Sequence, residues 1–244
     1  MDMNVWLAYH QERPHARLRL FCFPYAGGGA SIYRTWSENL PEEIEVCPVQ
    51  LPSREQRMKE QPFTRLSELV PALIEALRPY MDLPFAFFGH SMGALISFEL
   101  ARTSYMQGFG PTRLLISACA APQLPSKEPP AHSLPDEQFI KRLRHLDGTP
   151  DEVLSNPELM ELKLPLLRAD FALFETYTYT PQEPLPCPII AYGGSQDRKI
   201  SCQDLEAWQE QTTNYFAVRM FSGNHFYLHH VQEALLQTII RDLD

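Results

Sequence analysis

The chain has no Cys-x-x-Cys pair. Its five cysteines, Cys22, Cys47, Cys119, Cys187 and Cys202, are scattered and odd in number, which argues against a zinc site and a disulfide framework. Cys22, Cys47, Cys119 and Cys187 lie in or beside apolar strand-like runs and read as buried free thiols. Positive charge is also scarce. Twenty-one Lys and Arg face 30 Asp and Glu, for a net charge of −9, which argues against a general nucleic-acid binder. No apolar run approaches the roughly 18 residues that mark a membrane span. The opening Met1-Asp2-Met3-Asn4 lacks the basic and apolar regions of a secretory leader. Internal repeats and low-complexity tracts are missing as well. Together these absences predict a cytoplasmic protein with no membrane or nucleic-acid partner.

What is present is a sizeable apolar fraction in an alternating order. Hydrophobic residues make up 44% of 244 residues, room for one α/β domain or two small ones. Strand-like runs fall at Leu18–Phe23, Ile44–Leu51, Phe85–Phe88, Arg113–Cys119, Pro188–Tyr192 and Ala217–Phe221. Their near-continuous apolar character suits strands covered on both faces. Between them Leu66, Leu69, Val70, Leu73, Ile74 and Leu77 recur at helical spacing, as do Leu95, Phe98 and Leu100, and later Val231, Leu235 and Ile239. This alternation predicts an α/β fold with a mostly parallel central sheet flanked by helices.

One stretch breaks the rhythm. Residues 122–182 carry no clear strand and open on Pro122, Pro125, Pro129, Pro130 and Pro135, a loop-like composition. Phe139, Ile140 and Leu143 suggest a short helix. Leu167, Phe171 and Phe174 share a face of a second, with Pro165 as a suitable first residue. An insertion of this length in a compact domain is usually functional. It is expected to be a helical lid within a single domain spanning 1–244, the alternative being a packed decorative subdomain.

The pentapeptide Gly89-His90-Ser91-Met92-Gly93 lies between the third strand-like run and a helical one. Gly-x-Ser-x-Gly in that context is the nucleophile elbow of the α/β-hydrolase fold. The bare pattern also arises by chance, and the flanking strand and helix are what raise it. With Ser91 as nucleophile the fold demands an acid and then a histidine further along the chain. His225, in Ser222-Gly223-Asn224-His225-Phe226 after the sixth strand, is the candidate base. The plainer reading of a lone loop histidine is a surface residue. Asp197, in Gly193-Gly194-Ser195-Gln196-Asp197 after the fifth strand, is the candidate acid, although turn chemistry alone also favours an aspartate there. The strand end after Cys119 reads Ala120-Ala121-Pro122 and offers no acid. His90, inside the elbow, is expected to point away from the Ser91 hydroxyl. The oxyanion hole calls for the N–H of Met92 and a donor from the loop Phe23-Pro24-Tyr25-Ala26-Gly27-Gly28-Gly29. That glycine run is no phosphate loop, because no Gly-Lys-Ser/Thr follows.

Phe23-Pro24-Tyr25-Ala26-Gly27-Gly28, the elbow, Gly194-x-x-Asp197 and Gly223-x-His225-Phe226 together resemble the type II thioesterases. These are stand-alone enzymes that accompany non-ribosomal peptide and polyketide synthases. The resemblance runs from about Leu18 to the C-terminus and includes Leu134-Pro135-Asp136-Glu137-Gln138-Phe139 and Leu164-Pro165-Leu166-Leu167-Arg168-Ala169-Asp170. Hydrolases in general do not share those last two segments. The mammalian thioesterase that releases medium-chain fatty acids is a looser relative.

The resemblance implies a serine thioester hydrolase of antibiotic biosynthesis that clears stray acyl groups from the phosphopantetheine thiol of an acyl or peptidyl carrier protein. It implies Ser91 as nucleophile, His225 as base, Asp197 as acid, and the N–H groups of Ala26 and Met92 as the oxyanion hole. No metal or cofactor of its own is implied, since the carrier supplies the pantetheine arm, and the default oligomeric state is the monomer. Carrier proteins tend to be acidic, so Arg54, Arg57 and Lys59, or Lys141, Arg142 and Arg144, are candidates to flank the pantetheine entrance; the bland alternative is solvated surface. A general carboxylesterase or lipase, an acyltransferase and a catalytically silent binding protein remain as other readings of the same fold.

Overall fold

A computed structural model of the chain describes residues 5–145 and 154–244. Six strands form one sheet: β1 Leu18–Phe23, β2 Ile44–Pro48, β3 Phe85–His90, β4 Arg113–Ser117, β5 Ile189–Gly194 and β6 Phe216–Phe221. Their order is β2-β1-β3-β4-β5-β6, and every neighbouring pair runs parallel. The helices are α1 Trp36–Asn39, α2 Leu66–Leu77, α3 Met92–Met106, α4 Asp136–His145, α5 Pro157–Glu175, α6 Cys202–Glu206 and α7 Gln232–Leu243.

Alternation along the strands builds three layers. Phe21, Phe23, Phe85 and Phe87 point to the face covered by α2 and α3. Leu20, Cys22, Ala86 and Phe88 point to the opposite face, where Trp36 of α1 and Leu235, Leu236 and Ile239 of α7 close the core. Side chains on a strand alternate between faces, so a run apolar at every position is what two covered faces require. The register pairs Phe21 with Phe87 and with Cys47. After β2 the chain crosses to the other side of β1, so strand order reverses between β1 and β3. Crevices outside the carboxyl ends of strands at such a switch point are where open α/β sheets bind ligands.

Several expected boundaries shift. β2 ends at Pro48 rather than Leu51, and β4 ends at Ser117 because Ala118 turns to φ +49°. β3 runs on to His90. The larger correction concerns the second helix of the 122–182 segment, part of which lies outside the described residues. α5 starts at Pro157, not Pro165. Asn156 caps it, its Oδ1 accepting from Glu158 N–H at 3.1 Å and Leu159 N–H at 3.2 Å, and Pro157 occupies the first turn, where a missing N–H costs nothing. Pro165 sits inside the helix. Leu167 is buried in a third apolar cluster with Phe139, Leu143 and Met160, and Phe171 meets Phe139 edge-on at 5.2 Å. Phe174, predicted on the same face, is 46% exposed.

Candidate active site

The elbow turns where β3 hands over to α3. Ser91 adopts φ +54° and ψ −116°, a conformation that non-glycine residues hold only when their surroundings impose it. The flanking glycines are what the surroundings require. A Cβ on Gly89 would lie 2.1 Å from the carbonyl oxygen of Gly93, and one on Gly93 would lie 2.1 Å from that of Phe23. The turn thus folds on itself and rests on the end of β1. Ser91 N–H donates to Ser117 O at 2.8 Å, and Ala94 N–H to Ser91 O at 3.0 Å. Ser91 is half-buried at the head of α3. The Met92 N–H lies in the first turn of that helix, where no intrahelical acceptor exists.

His225 and Asp197 come from loops at the same edge of the sheet. His225 Nδ1 lies 2.7 Å from Asp197 Oδ2, with side chains 10% and 1% exposed. Asp197 Oδ1 accepts from the N–H groups of Lys199 at 2.8 Å and Ile200 at 3.2 Å. Burial works against the Asp197 charge, but the His225 hydrogen bond and charge and these two N–H groups outweigh it, holding the carboxyl below the usual range. An ionised carboxylate only accepts, so a His225 proton sits on Nδ1 toward Asp197, which leaves Nε2 as the nitrogen able to act as base. The two loops touch because Gly194 has no side chain: a Cβ there would lie 2.3 Å from Asn224 O.

His90 turns its ring toward β4 and the segment after β6. Its Nδ1 lies 2.8 Å from Ser117 Oγ, which in turn meets Tyr227 Oη at 2.6 Å. Its ring lies 5.4 Å from that of His225, so the residue next to Ser91 packs directly on the candidate base. Burial first, and then the nearby His225 and His229, hold His90 well below the ordinary histidine range. It stands neutral beside the site. Tyr25 lies edge-on to His90 and Phe226, and its Oη meets His229 Nε2 at 2.9 Å.

Ala26, the other candidate donor, occupies the loop after β1. The next residue, Gly27, donates its N–H to Asp170 Oδ2 at 2.7 Å. Asp170 pairs with Arg54, which also reaches Gly28 O at 2.9 Å. This corrects the expectation for the first basic cluster. Arg54 and Arg57 are 5% and 6% exposed, so neither belongs to a surface patch. Arg57 lies over Trp6 at 4.0 Å and pairs with Glu60. Of the three, only Lys59 is exposed. In the second cluster Lys141 pairs with Glu137 at 2.8 Å and Arg142 with Glu128. Among the described residues, one set of potential metal ligands, His10, Glu45 and Cys47, lies at the other end of the sheet. Its carboxylate is already taken by Arg19 Nε at 2.5 Å and Arg13 N–H at 2.8 Å.

Residues 18–243 match the family model described as the thioesterase domain. The chain belongs to the thioesterase family. The thioesterase is 48% identical over 243 residues to the gramicidin S biosynthesis protein GrsT of Aneurinibacillus migulanus, covering 99% of this chain and 95% of that one. It is 48% identical over 238 residues to a Brevibacillus parabrevis protein named linear gramicidin dehydrogenase LgrE, covering 96% and 90%. Among solved structures it superposes on the type II thioesterase BorB from the borrelidin biosynthetic cluster with a TM-score of 0.89 at 38% identity, covering 98% of both chains. The resemblance read from the glycine loop, the elbow and the two α4 and α5 segments therefore holds, and with it the α/β-hydrolase fold. No helix of the thioesterase's described residues is long and apolar enough to cross a membrane.

Proposed function

We propose that this thioesterase hydrolyses acyl groups from the phosphopantetheine thiol of a carrier protein, removing aberrant groups that stall a non-ribosomal peptide or polyketide synthase. The observation that carries the reading is the buried His225–Asp197 hydrogen bond at 2.7 Å, packed against the residue next to the strained Ser91. In the proposed mechanism Ser91 Oγ attacks the thioester carbonyl while His225 Nε2 takes its proton. The carbonyl oxygen becomes an oxyanion facing the N–H groups of Ala26 and Met92. Collapse breaks the carbon–sulfur bond, and His225 returns the proton to the departing pantetheine sulfur. Water then attacks the acyl-serine, His225 takes its proton, and Ser91 leaves with the proton restored. Asp197 holds the tautomer and stabilises the imidazolium. The enzyme works as a monomer in the cytoplasm, with no metal or cofactor of its own, because the carrier supplies the pantetheine arm. The 122–182 segment forms the lid.

The glycine loop speaks against a dinucleotide reading suggested by one relative's name. In nucleotide-binding α/β folds the first strand leads through glycines to a helix whose N-terminus faces the pyrophosphate. Here a carboxylate, Asp170, already accepts from Gly27 N–H, and the loop leads into a short 3-10 turn, Ala30–Tyr33. The experiment that separates carrier editing from general esterase chemistry compares kcat/KM on an acetylated holo carrier protein with that on p-nitrophenyl acetate. Carrier-directed editing requires preference for the carrier thioester. Turnover of the simple ester with an untouched carrier overturns it.

A further inference from the structure

We infer that Arg54 and Asp170 form a positioning pair that holds the oxyanion loop in its working geometry and joins it to α5. The inference rests on the proposed reading of Ala26 as an oxyanion donor. In the loop after β1, side chains from elsewhere take backbone groups of Gly27, Gly28, Ala30 and Ser31. Asp170 Oδ2 accepts from Gly27 N–H at 2.7 Å. Arg54 Nη1 donates to Gly28 O at 2.9 Å. Gln50 Oε1 accepts from Ala30 N–H at 2.8 Å, and Glu55 Oε1 accepts from Ser31 N–H at 3.2 Å. The first two serve no helix or strand ladder, and the last two satisfy the opening N–H groups of the 3-10 turn Ala30–Tyr33. They fix the segment that directly follows Ala26.

The network is built at some cost. Arg54 and Asp170 side chains are 5% and 2% exposed, and a buried ion pair is a poor way to add stability. Here every branch of the guanidinium is used: Nε on Pro52 O at 3.1 Å, Nη1 on Gly28 O and Asp170 Oδ2, Nη2 on Asp170 Oδ1 at 2.8 Å. The chain also holds Ser53 at φ +70° and Glu55 at φ +47°, left-handed conformations that non-glycine residues seldom adopt. Backbone strain combined with a fully bonded buried charge is what a preorganised site requires, because an oxyanion donor acts only when it is already in place. Asp170 comes from α5, 116 residues away in sequence from Arg54, so the same pair ties the insertion to the loop.

The test uses the whole enzyme and the double variant Arg54→Met/Asp170→Leu, because apolar replacement of a buried pair preserves folding more often than removal of one partner. The expected result is an unfolding midpoint close to native, KM on the acetyl-carrier within about twofold, and kcat lower by about 10²-fold, the order expected of a misplaced catalytic group. An alkylboronic acid, whose tetrahedral serine adduct mimics the oxyanion, should lose affinity in step with kcat/KM. Arg54→Lys keeps the charge but not the three-way reach, and should fall between. If the double variant does not fold, Arg54→Lys carries the same comparison. Native kcat and boronate affinity in a folded variant overturn the inference. A native enzyme that ignores the acetyl-carrier, or a fully active Ser91→Ala, overturns the functional reading instead. The clamp is then judged by hydrogen exchange of residues 24–31, which must quicken in the double variant for it to stand.

Discussion

Two arginine–carboxylate pairs, one partly and one fully buried, lie at opposite ends of one parallel sheet, and they do different work. At the amino ends of β1 and β2, Arg19 meets Glu45 at 2.5 Å, and the Glu45 carboxylate also accepts from Arg13 N–H and meets His10 Nε2. These bonds tie strand starts to the N-terminal segment. Beyond the carboxyl ends, Arg54 meets Asp170 at 2.8 Å, and the bonds go to the loop that leads out of Ala26. The chemistry of the two pairs is the same, and their place in the fold separates them. All strands run one way, so loops converge on the carboxyl edge, where ligands bind, while the amino edge is left to hold the sheet together. Breaking the upper pair should cost turnover, and breaking the lower one should cost stability.

The largest expected effects lie in the Ser91–His225–Asp197 set. Ser91→Ala should lower kcat by on the order of 10⁴ or more, and Asp197→Asn, which keeps the shape but admits the wrong histidine tautomer, by about 10³ to 10⁴, both at native unfolding midpoint. The Arg54→Met/Asp170→Leu variant should follow at about 10², in kcat and not KM. At the other end, Glu45→Gln should leave kcat unchanged and cost about 2 kcal/mol of stability, less than for a fully buried pair because Arg19 keeps some solvent contact. Burial opposes the Glu45 charge, but the bonds from Arg13, His10 and Arg19 prevail and hold its carboxyl below the ordinary value. Its contribution is therefore full above the unfolded value of about 4.3 and is lost as pH falls through the lowered folded value. Denaturation of native and Glu45→Gln enzyme across pH should show their difference shrink below about pH 4. A Glu45→Gln enzyme with impaired kcat would blur the contrast between the two ends.

The smallest effect concerns the thiols. Burial pushes the Cys22 and Cys47 thiols well up, Cys119 to about 12 and Cys187 to about 11, whereas Cys202 is exposed. Iodoacetamide should label Cys202 alone in the folded enzyme and all five after denaturation, with no loss of activity on the single labelling.

Much of the carboxyl edge of the sheet was legible because its signals are local. Continuous apolar runs mark strands covered on both faces, and a glycine two residues either side of Ser91 marks a turn too tight for a Cβ. The loops bearing Asp197 and His225 follow strands that could be counted. The start of α5 was also written in the sequence, as Asn156-Pro157, a cap followed by a first-turn proline. It lost to Pro165, which opens an apolar stretch that looks like a beginning. Arg54 and Arg57 misled for a different reason. Three basic residues within six positions look like solvated surface, whereas a carboxylate on α5, far along the chain, pairs with Arg54 inside. Asp170 itself ends the segment Leu164-Pro165-Leu166-Leu167-Arg168-Ala169-Asp170, which carries no local sign of a distant partner. A single sequence does not reveal which charge will meet which across such a span.

The central claim, that Ser91 removes acyl groups from a carrier-bound thiol, is tested most directly by intact-protein mass spectrometry of an acetylated holo carrier protein incubated with native enzyme and with Ser91→Ala. The account predicts that the acetyl group is lost with the native enzyme and kept with the variant. An acetyl group that survives the native enzyme, or one that Ser91→Ala removes at the native rate, would contradict it.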